Sequence, residues 1–136
     1  MIQKIKTISG KRKTAVARVK LVPGSGKVIY NHISYEDLNL FHKLALAEPL
    51  RIYANVLGDE LKYDFIIKTV SGGKEAQIQA ARLAIAKALI EITSSDILKK
   101  AFINYDRHLL VADSRRKEAR KPGDSKARAK RQKSYR

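Results

Sequence analysis

The last twenty residues of the chain, KEARKPGDSKARAKRQKSYR (117–136), contain no Val, Ile, Leu, Phe, Met or Trp. A segment of this composition cannot offset the entropy of its own ordering by burying apolar surface, so it cannot belong to a hydrophobic core. Apolar content already collapses after Asp113. We therefore predict one globular domain over residues 1–113, followed by an extended basic tail over residues 114–136.

Positive charge is concentrated at the two ends of the chain. The 136 residues include 29 Lys and Arg against 13 Asp and Glu, which gives a formal net charge of +16. Residues 1–20 contain seven basic side chains, Lys4 among them, and no acid; residues 21–113 are neutral, and residues 114–136 carry a net charge of +9. This asymmetry predicts a polyanionic partner. Nucleic acid is favoured over an anionic membrane, because the tail has no hydrophobic face to insert.

Several classes of protein are disfavoured by what the sequence lacks. The absence of Cys excludes disulfides, thiolate metal sites and thiol catalysis. No apolar run approaches the length of a membrane span, and the N-terminus resembles neither a signal peptide nor a transit peptide, so we expect the protein to work where it is made. GSGK (24–27) and SGGK (71–74) lack the spacing of a Walker phosphate loop, and the three His have no metal-ligand spacing. We predict no enzyme activity, no cofactor and no metal.

Strands are predicted from alternating apolar residues. TAVARVKLV (14–22) places one set on a buried face, namely Ala15, Ala17, Val19 and Leu21. PGSG (23–26) would turn the chain into a return strand, KVIYN (27–31), to form a hairpin. RIYANVL (51–57) and KYDFIIKTV (62–70) are predicted as two further strands.

Helices are predicted at four places. Ser34 is expected to cap a short helix in YEDLNLF (35–41). Residues 43–48 are expected to form a second helical stretch of a turn or two, which Pro49 would end. A long helix should follow SGG and run from about Glu75 to Ile92, with one apolar face formed by Ile78, Ala81, Ile85, Ala88, Leu89 and Ile92. SSD (94–96) should restart a helix through about Ala101. This order predicts an α+β fold, a mixed or antiparallel sheet with helices on one face.

Three basic elements are candidates for binding phosphate. The first is formed by Lys11, Arg12, Lys13 and Arg18, where three consecutive cations repel one another without a nearby acid. The second follows a predicted apolar anchor, Leu109–Val111, and comprises Arg115, Arg116, Lys117, Arg120 and Lys121. The third is the end of the tail. A disordered solubilising tail is the alternative, but it would not need Arg, whose planar guanidinium pairs bidentately with phosphate and stacks on bases. RNA is therefore favoured.

These elements together resemble the family of the ninth protein of the small ribosomal subunit, in its bacterial or plastid type. GKRKTAVARVKLVPGSGKVIYN (10–31) is similar to the family's G-[KR]-R-K-[TS]-[AS]-V-A-R block and the P-G-x-G that follows it. YEDLNLF…EPL (35–50) resembles its acidic-aromatic helix. VSGGKEAQIQAARLAIAKALIE (70–91) is similar to its glycine-rich turn and Ala-rich helix, and NYDRHLLVADSRRKEARKPG (104–123) to its basic segment.

The resemblance implies a fold like the second domain of the fifth small-subunit protein, and a place in the subunit head among neighbouring head proteins. It implies binding to the 3′ major domain of the ribosomal RNA by Lys11, Arg12, Lys13, Arg18, Arg115, Arg116, Lys117, Arg120, Lys121, Lys126, Arg128, Lys130 and Arg131. It also implies that the tail reaches the peptidyl-site tRNA through Lys133, Ser134, Tyr135 and Arg136. The family usually ends in Ser-Lys-Arg, so a tyrosine replaces the penultimate lysine here.

Other identities stay open at this point. A protein cofactor of an RNA-processing ribozyme would be expected to carry an arginine-rich helix within its body. A DNA-compacting protein would be expected to bind duplex DNA as well as it binds RNA. The departures from the family's usual motifs, at the last residues and in the shorter glycine-rich turn, together with a Lys- and Ile-rich composition and no transit peptide, favour an organelle-encoded protein of the plastid stroma, with the bacterial cytoplasm as the alternative.

Overall fold

The computed structural model describes residues 6–136, so Lys4 of the basic N-terminal segment lies outside the described residues. The strands are β1 (Thr7–Arg12), β2 (Ala15–Pro23), β3 (Val28–Tyr30), β4 (Ile33–Ser34) and β5 (Tyr63–Val70). The helices are α1 (Leu40–Leu57), α2 (Lys74–Thr93) and α3 (Asp96–Tyr105), with 3-10 turns at Tyr35–Asp37 and Arg107–Leu109. The sheet order is β1-β2-β5-β3-β4, and only β3 and β5 are parallel. The predicted α+β class with a mixed sheet is confirmed.

The buried face of β2 is the one predicted from its alternation. Its inward residues, Ala15, Ala17, Val19 and Leu21, are at most 6% exposed. Small side chains on this face let α2 pack closely on the sheet. Gly10 of β1 lies directly against α2: a Cβ atom there would lie 2.3 Å from the carbonyl oxygen of Ala80 and 2.8 Å from the amide nitrogen of Ala84. The β1–α2 contact therefore requires glycine at this position.

The predicted hairpin between β2 and KVIYN is wrong. The hairpin partner of β2 is β1, which precedes it, whereas β3 pairs in parallel with β5. The reason lies in Asp64, whose carboxylate accepts hydrogen bonds from the backbone N–H groups of Ser25 and Lys27, both at 2.9 Å. These bonds hold the PGSG turn over the start of β5, so the chain crosses to the far side of that strand.

The predicted strand RIYANVL is also wrong, because it forms the second half of α1. The helix does not stop at Pro49 but runs through it to Leu57. Its buried residues, Leu46, Ala47, Pro49 and Tyr53, recur at helical spacing, and Leu50 and Leu57 pack against the same core. The burial of this stripe outweighs the local cost of a proline in a helix interior.

The long helix α2 is confirmed within one residue at each end. It buries its predicted face except Ile92, which is half-buried, and it also buries Ala80, Leu83, Ala84 and Ala86, since it lies between the sheet and the other helices. The turn before it needs Gly72, which has φ +71° and whose Cβ would lie 2.8 Å from that of Ala15. None of the helices described between residues 6 and 136 is both long and apolar enough to cross a membrane.

The remaining helix predictions are confirmed in part. The helix at SSD begins as predicted, with the Ser95 hydroxyl accepting from the backbone of Leu98, but it continues beyond Ala101 to Tyr105. Ser34 precedes only a 3-10 turn and its side chain makes no capping bond. Of the predicted apolar anchor, Leu109 is buried, Leu110 packs on the core, and Val111 is 44% exposed. The anchor therefore fixes the chain just before the second basic element.

Candidate nucleic-acid interface

The turn between β1 and β2 lies against the start of the second basic element, about a hundred residues later in the chain. Lys13, with φ +52°, turns the chain tightly from β1 into β2. After the buried Leu109, the chain passes the end of this hairpin, and a guanidinium nitrogen of Arg116 donates to the carbonyl oxygen of Lys13. We call residues 11–13, at the end of this hairpin, and residues 113–117, the root from which the tail begins, the hairpin–root cluster.

Asp113 is the centre of the hairpin–root cluster. Its side chain is 12% exposed and forms ion pairs with Arg12 and with Arg115, whose Nη2 lies 2.7 Å away. The backbone N–H of Arg115 also donates to Asp113 at 2.9 Å, and the Arg12 Nε donates to Oε1 of Gln79 at 2.7 Å. The hydrogen bonds from Arg115, with a contribution from the charge of Arg12, hold the pKa of Asp113 well below its usual range. The carboxylate is thus charged at neutral pH and connects hairpin and root.

The predicted cations of the cluster differ in their accessibility. Arg12 is largely enclosed, with 14% of its side chain exposed, because it lies between Asp113 and Gln79. The Arg115 side chain is 78% exposed despite its ion pair. The other predicted cations at this end are all exposed, namely Lys11, Lys13, Arg116 and Lys117. Asp113 therefore joins two of the six cations of the cluster, Arg12 and Arg115, and the other four are exposed beside them.

A polar groove runs beside the cluster, between β1 and the 3-10 turn at Arg107–Leu109. Lys11, Gln79, His108 and Arg115 are among the residues that line it. Its wall is fixed by Arg82 of α2, which pairs with Glu48 of α1 and, at 3.1 Å, with Asp106. Burial raises the pKa of Asp106, but hydrogen bonds from the His108 backbone and from Arg82 outweigh it and lower the pKa overall.

Arg18 lies apart from the hairpin–root cluster. It is exposed on the face of the sheet that the helices leave uncovered, where its register partners are Ser9 of β1 and Lys68 of β5. Lys11 lies on the same face at the end of β1. The structure therefore divides the first predicted basic element between two adjoining surfaces.

Beyond Lys117, the described side-chain hydrogen bonds and ion pairs of the tail lie within the tail itself. Arg128 pairs with Glu118 at 3.0 Å, and the backbone N–H of Arg131 donates to Asp124 at 3.3 Å. No helix or strand is assigned between residues 110 and 136. The other predicted tail cations are exposed, namely Arg120, Lys121, Lys126, Lys130, Lys133 and Arg136, and so are Ser134 and Tyr135.

Several interface residues were missed by the sequence analysis. Asp113 is the one acid in LLVADSRRK, and its position between an apolar anchor and three cations was the available signal. Gln79 and Arg82 carried no signal, because their partners lie on distant segments. Of the three His, His42 bonds Glu75 at 2.7 Å, and no group of potential metal ligands occurs within residues 6–136.

An α+β fold with clustered exposed cations and no metal-ligand group within residues 6–136 is typical of small structural proteins that bind a polyanion. A family model described as "Ribosomal protein S9/S16" matches residues 10–136. The chain belongs to this ribosomal protein family.

Three relatives, each named "Small ribosomal subunit protein uS9", show the extent of the similarity. The protein of Methanococcus vannielii is 43% identical over 130 residues, which cover 93% of this chain and 95% of the relative. That of Desulfurococcus amylolyticus is 41% identical over 135 residues, with 98% and 94% coverage. That of Methanococcus maripaludis strain C5 is 43% identical over 130 residues, with 93% and 95% coverage.

Family membership decides several of the predictions. It confirms the resemblance and the absence of enzyme activity, since the family is structural, and it supports a role in translation at the ribosome. The predicted plastid stroma finds no support, and neither does the bacterial or plastid type, because the relatives reported above are archaeal. A Lys- and Ile-rich composition is therefore not diagnostic of a plastid protein.

Proposed function

We propose that this protein is a structural component of the small ribosomal subunit head that binds the 3′ major domain of the ribosomal RNA. Family membership supports the proposal. The observation that carries it is the convergence of two basic segments, distant in sequence, on the single carboxylate of Asp113. Such convergence has little use on a free surface, where like charges repel, and it matches a dense array of phosphates.

In this proposal the hairpin–root cluster is a preorganised phosphate-binding surface. Arg12 positions the cluster through Asp113. Arg115, whose side chain is 78% exposed, bonds Asp113 through Nε and Nη2 and offers the remaining N–H groups of its guanidinium to phosphate. Lys11, Lys13 and Lys117 supply further charge around it. A surface already held by ion pairs loses less freedom on binding than a flexible one. Contacts of this kind position the protein without reading base sequence.

The tail extends the same function away from the body. Residues 117–136 would span about 65 Å when fully extended, so their end can act far from the hairpin–root cluster. We assign ribosomal RNA contacts to the cations along the tail, namely Arg120, Lys121, Lys126, Arg128, Lys130 and Arg131. We assign contact with the peptidyl-site tRNA to the last four residues, Lys133, Ser134, Tyr135 and Arg136. Neighbouring head proteins would complete the surroundings.

The two rival functions are distinguished in different ways, the first by the structure and the second by a binding measurement. The helix α2 contains only Arg82 and Lys87 as internal cations, and Arg82 is occupied by Glu48 and Asp106, which disfavours a ribozyme cofactor with an arginine-rich helix. Affinity for a 3′-domain RNA fragment should exceed affinity for duplex DNA of equal length at every salt concentration. Equal affinity would instead indicate a DNA-compacting protein.

A triple variant tests the hairpin–root cluster itself. Replacing Lys11, Lys13 and Lys117 by Gln should weaken binding to the RNA fragment by tenfold or more, since three phosphate contacts are lost. In a control variant with the same loss of charge, Gln replaces Lys43, Lys99 and Lys100, which lie on α1 and α3. Equal effects of the two triple variants would contradict the assignment, because only net charge would then matter.

The tRNA assignment is tested by deleting residues 134–136. Retention of tRNA in the peptidyl site should weaken, while assembly of the small subunit proceeds, because the deletion removes one cation and leaves the hairpin–root cluster intact. Unchanged retention by subunits that contain the shortened chain would exclude the proposed tRNA contact. The rRNA assignment would stand in that case.

A further inference from the structure

One face of the sheet is left uncovered by the helices. The burial pattern of the strands shows that α1, α2 and α3 cover the side of the alternating buried residues. The opposite side is formed by exposed or half-buried residues of β1, β2 and β5, namely Thr7, Ser9, Lys11, Val16, Arg18, Lys20, Val22, Asp64, Ile66, Lys68 and Val70. We call this set the open sheet face.

Positive charge on the open sheet face is unbalanced. It carries Lys11, Arg18, Lys20 and Lys68, none of which forms an ion pair among the described residues. Arg18 and Lys68 are direct cross-strand neighbours, an arrangement that destabilises a free sheet. The acid at the end of this face, Asp64, already accepts two backbone hydrogen bonds from the PGSG turn. Among the described residues no acid pairs with these cations, which favours an anionic partner from outside the chain.

Apolar side chains lie between these cations. Val16 is paired with Val70, which is 50% exposed, and Ile66 beside Lys20 is 38% exposed. The face has no aromatic residue, so it offers no platform for stacking single-stranded bases. The face instead combines a group of neighbouring cations with branched apolar side chains on either side of it. This combination suits the sugar–phosphate backbone, with phosphates at the cations and riboses against the apolar groups.

We propose that the open sheet face is a second RNA-binding surface, which takes the backbone of a double-helical rRNA segment across its wide, shallow minor groove. Arg18, Lys20 and Lys68 are the phosphate ligands, with Lys11 shared with the hairpin–root cluster. The inference rests on the proposed function, since it takes ribosomal RNA as the partner. An acidic protein fits less well, because lysine is depleted in protein–protein interfaces and three of the four cations here are lysines.

Lysine acetylation of the full-length chain, read by mass spectrometry, tests the proposal. Binding of a 3′-domain rRNA fragment should slow the acetylation of Lys20 and Lys68 at least fivefold. The tail lysines Lys126 and Lys130 should be protected as well, as the proposed function requires. Lys99 and Lys100 on α3 serve as internal controls, and their reactivity should not change.

The other outcomes separate the two proposals. Protection of the tail lysines with Lys20 and Lys68 still reactive would overturn the second surface and leave the proposed function intact. Protection of Lys20 and Lys68 only after small-subunit proteins are added would assign this face to a protein partner, which also overturns the inference. If RNA protects no lysine, both proposals fail.

A charge variant provides an independent measurement. The double substitution Arg18→Gln and Lys68→Gln removes a repulsive cross-strand pair, so the fold should be retained. It should reduce the slope of log affinity against log salt by about 1.4 to 1.8, as expected for two phosphate contacts. The control Lys99→Gln/Lys100→Gln should leave the slope unchanged. A slope equal to that of the unmodified chain in a folded double variant would contradict the proposal.

Discussion

Deleting residues 122–136 should change the salt dependence of RNA binding more than it changes the fold. The segment contains six cations, namely Lys126, Arg128, Lys130, Arg131, Lys133 and Arg136. Its described hydrogen bonds and ion pairs are internal or reach only Glu118 and Lys121, so its removal leaves the core and the hairpin–root cluster in place. The thermal unfolding of the shortened chain should therefore match that of the full chain.

The size of the effect follows from the number of free cations. Lys133 and Arg136 are assigned to the tRNA, and Arg128 is already neutralised by Glu118 at 3.0 Å, which leaves Lys126, Lys130 and Arg131 to bind phosphates of the ribosomal RNA. Each phosphate contact contributes about 0.7 to 0.9 to the log–log salt slope, so the deletion should flatten that slope by about 2.1 to 2.7. Between about 50 and 200 mM salt, the full chain should therefore lose about 20- to 40-fold more affinity than the shortened one.

Equilibrium binding to a 3′-domain rRNA fragment at four or more salt concentrations measures this slope directly. A matched control keeps all 136 residues and replaces the six cations by Gln, so that charge is separated from chain length. Both variants should show the same flattened slope. If the slope of either variant equals that of the full chain, the tail does not neutralise phosphate and the reasoning is refuted.

Three further predictions concern the fold and the hairpin–root cluster. Asp113→Asn should lower thermal stability at neutral pH; because the pKa of Asp113 is lowered in the folded chain, this loss should shrink as the pH falls below about 4. Gly10→Ala should destabilise the protein by about 3 kcal/mol in urea unfolding, since the added Cβ meets the backbone of α2. Arg82→Met should cost about 1–3 kcal/mol in the same assay, because it leaves Glu48 and Asp106 without their shared cation.

Each of these predictions has a result that would contradict it. A stability difference for Asp113→Asn that persists unchanged at pH 3 would show that its ionisation is not the cause. A Gly10→Ala variant with the same free energy of unfolding as the original chain would mean that β1 does not pack on α2 at the described distance. The Arg82 prediction is tested by introducing Arg82→Met into the double variant Glu48→Gln/Asp106→Asn. The loss of stability should be much smaller in this background than in the original chain. An equal loss in both backgrounds would exclude the two ion pairs as the source of the stability that Arg82 provides.

The parts of the fold that the sequence predicts correctly are those with strong local patterns. β2 and α2 each have an uninterrupted periodicity, so their existence and buried faces follow from the residues alone. The start of α3 is predicted for a similar reason, since Ser95 followed by an acid is a typical helix N-terminus.

The parts that fail depend on tertiary contacts. RIYANVL is rich in strand-forming residues, and its helical conformation is selected by the burial of Tyr53 and Leu57 beside the rest of α1. The parallel pairing of β3 depends on Asp64, a residue almost forty positions away from the turn that it holds. No local pattern in PGSG distinguishes a hairpin turn from this crossover.

The candidate interface also has a part that the sequence predicts and a part that depends on tertiary contacts. Its cations are visible in the sequence as runs, and the family resemblance assigns them to RNA. Their arrangement is not visible, because it depends on Asp113 pairing with Arg12 across a hundred residues and on strand register bringing Lys68 beside Arg18. Structure therefore adds which cations position the surface and which are free to bind.

Gradient sedimentation of the tagged full-length chain with ribosomal subunits tests the central claim, that cations gathered at the two ends hold this protein on small-subunit RNA. The chain should sediment with the small subunit and stay bound through a wash at moderate salt. The variant that lacks residues 122–136 and has Lys11, Lys13 and Lys117 replaced by Gln should be released by the same wash. A chain that stays at the top of the gradient, or a variant that stays bound as firmly as the original, would contradict the account.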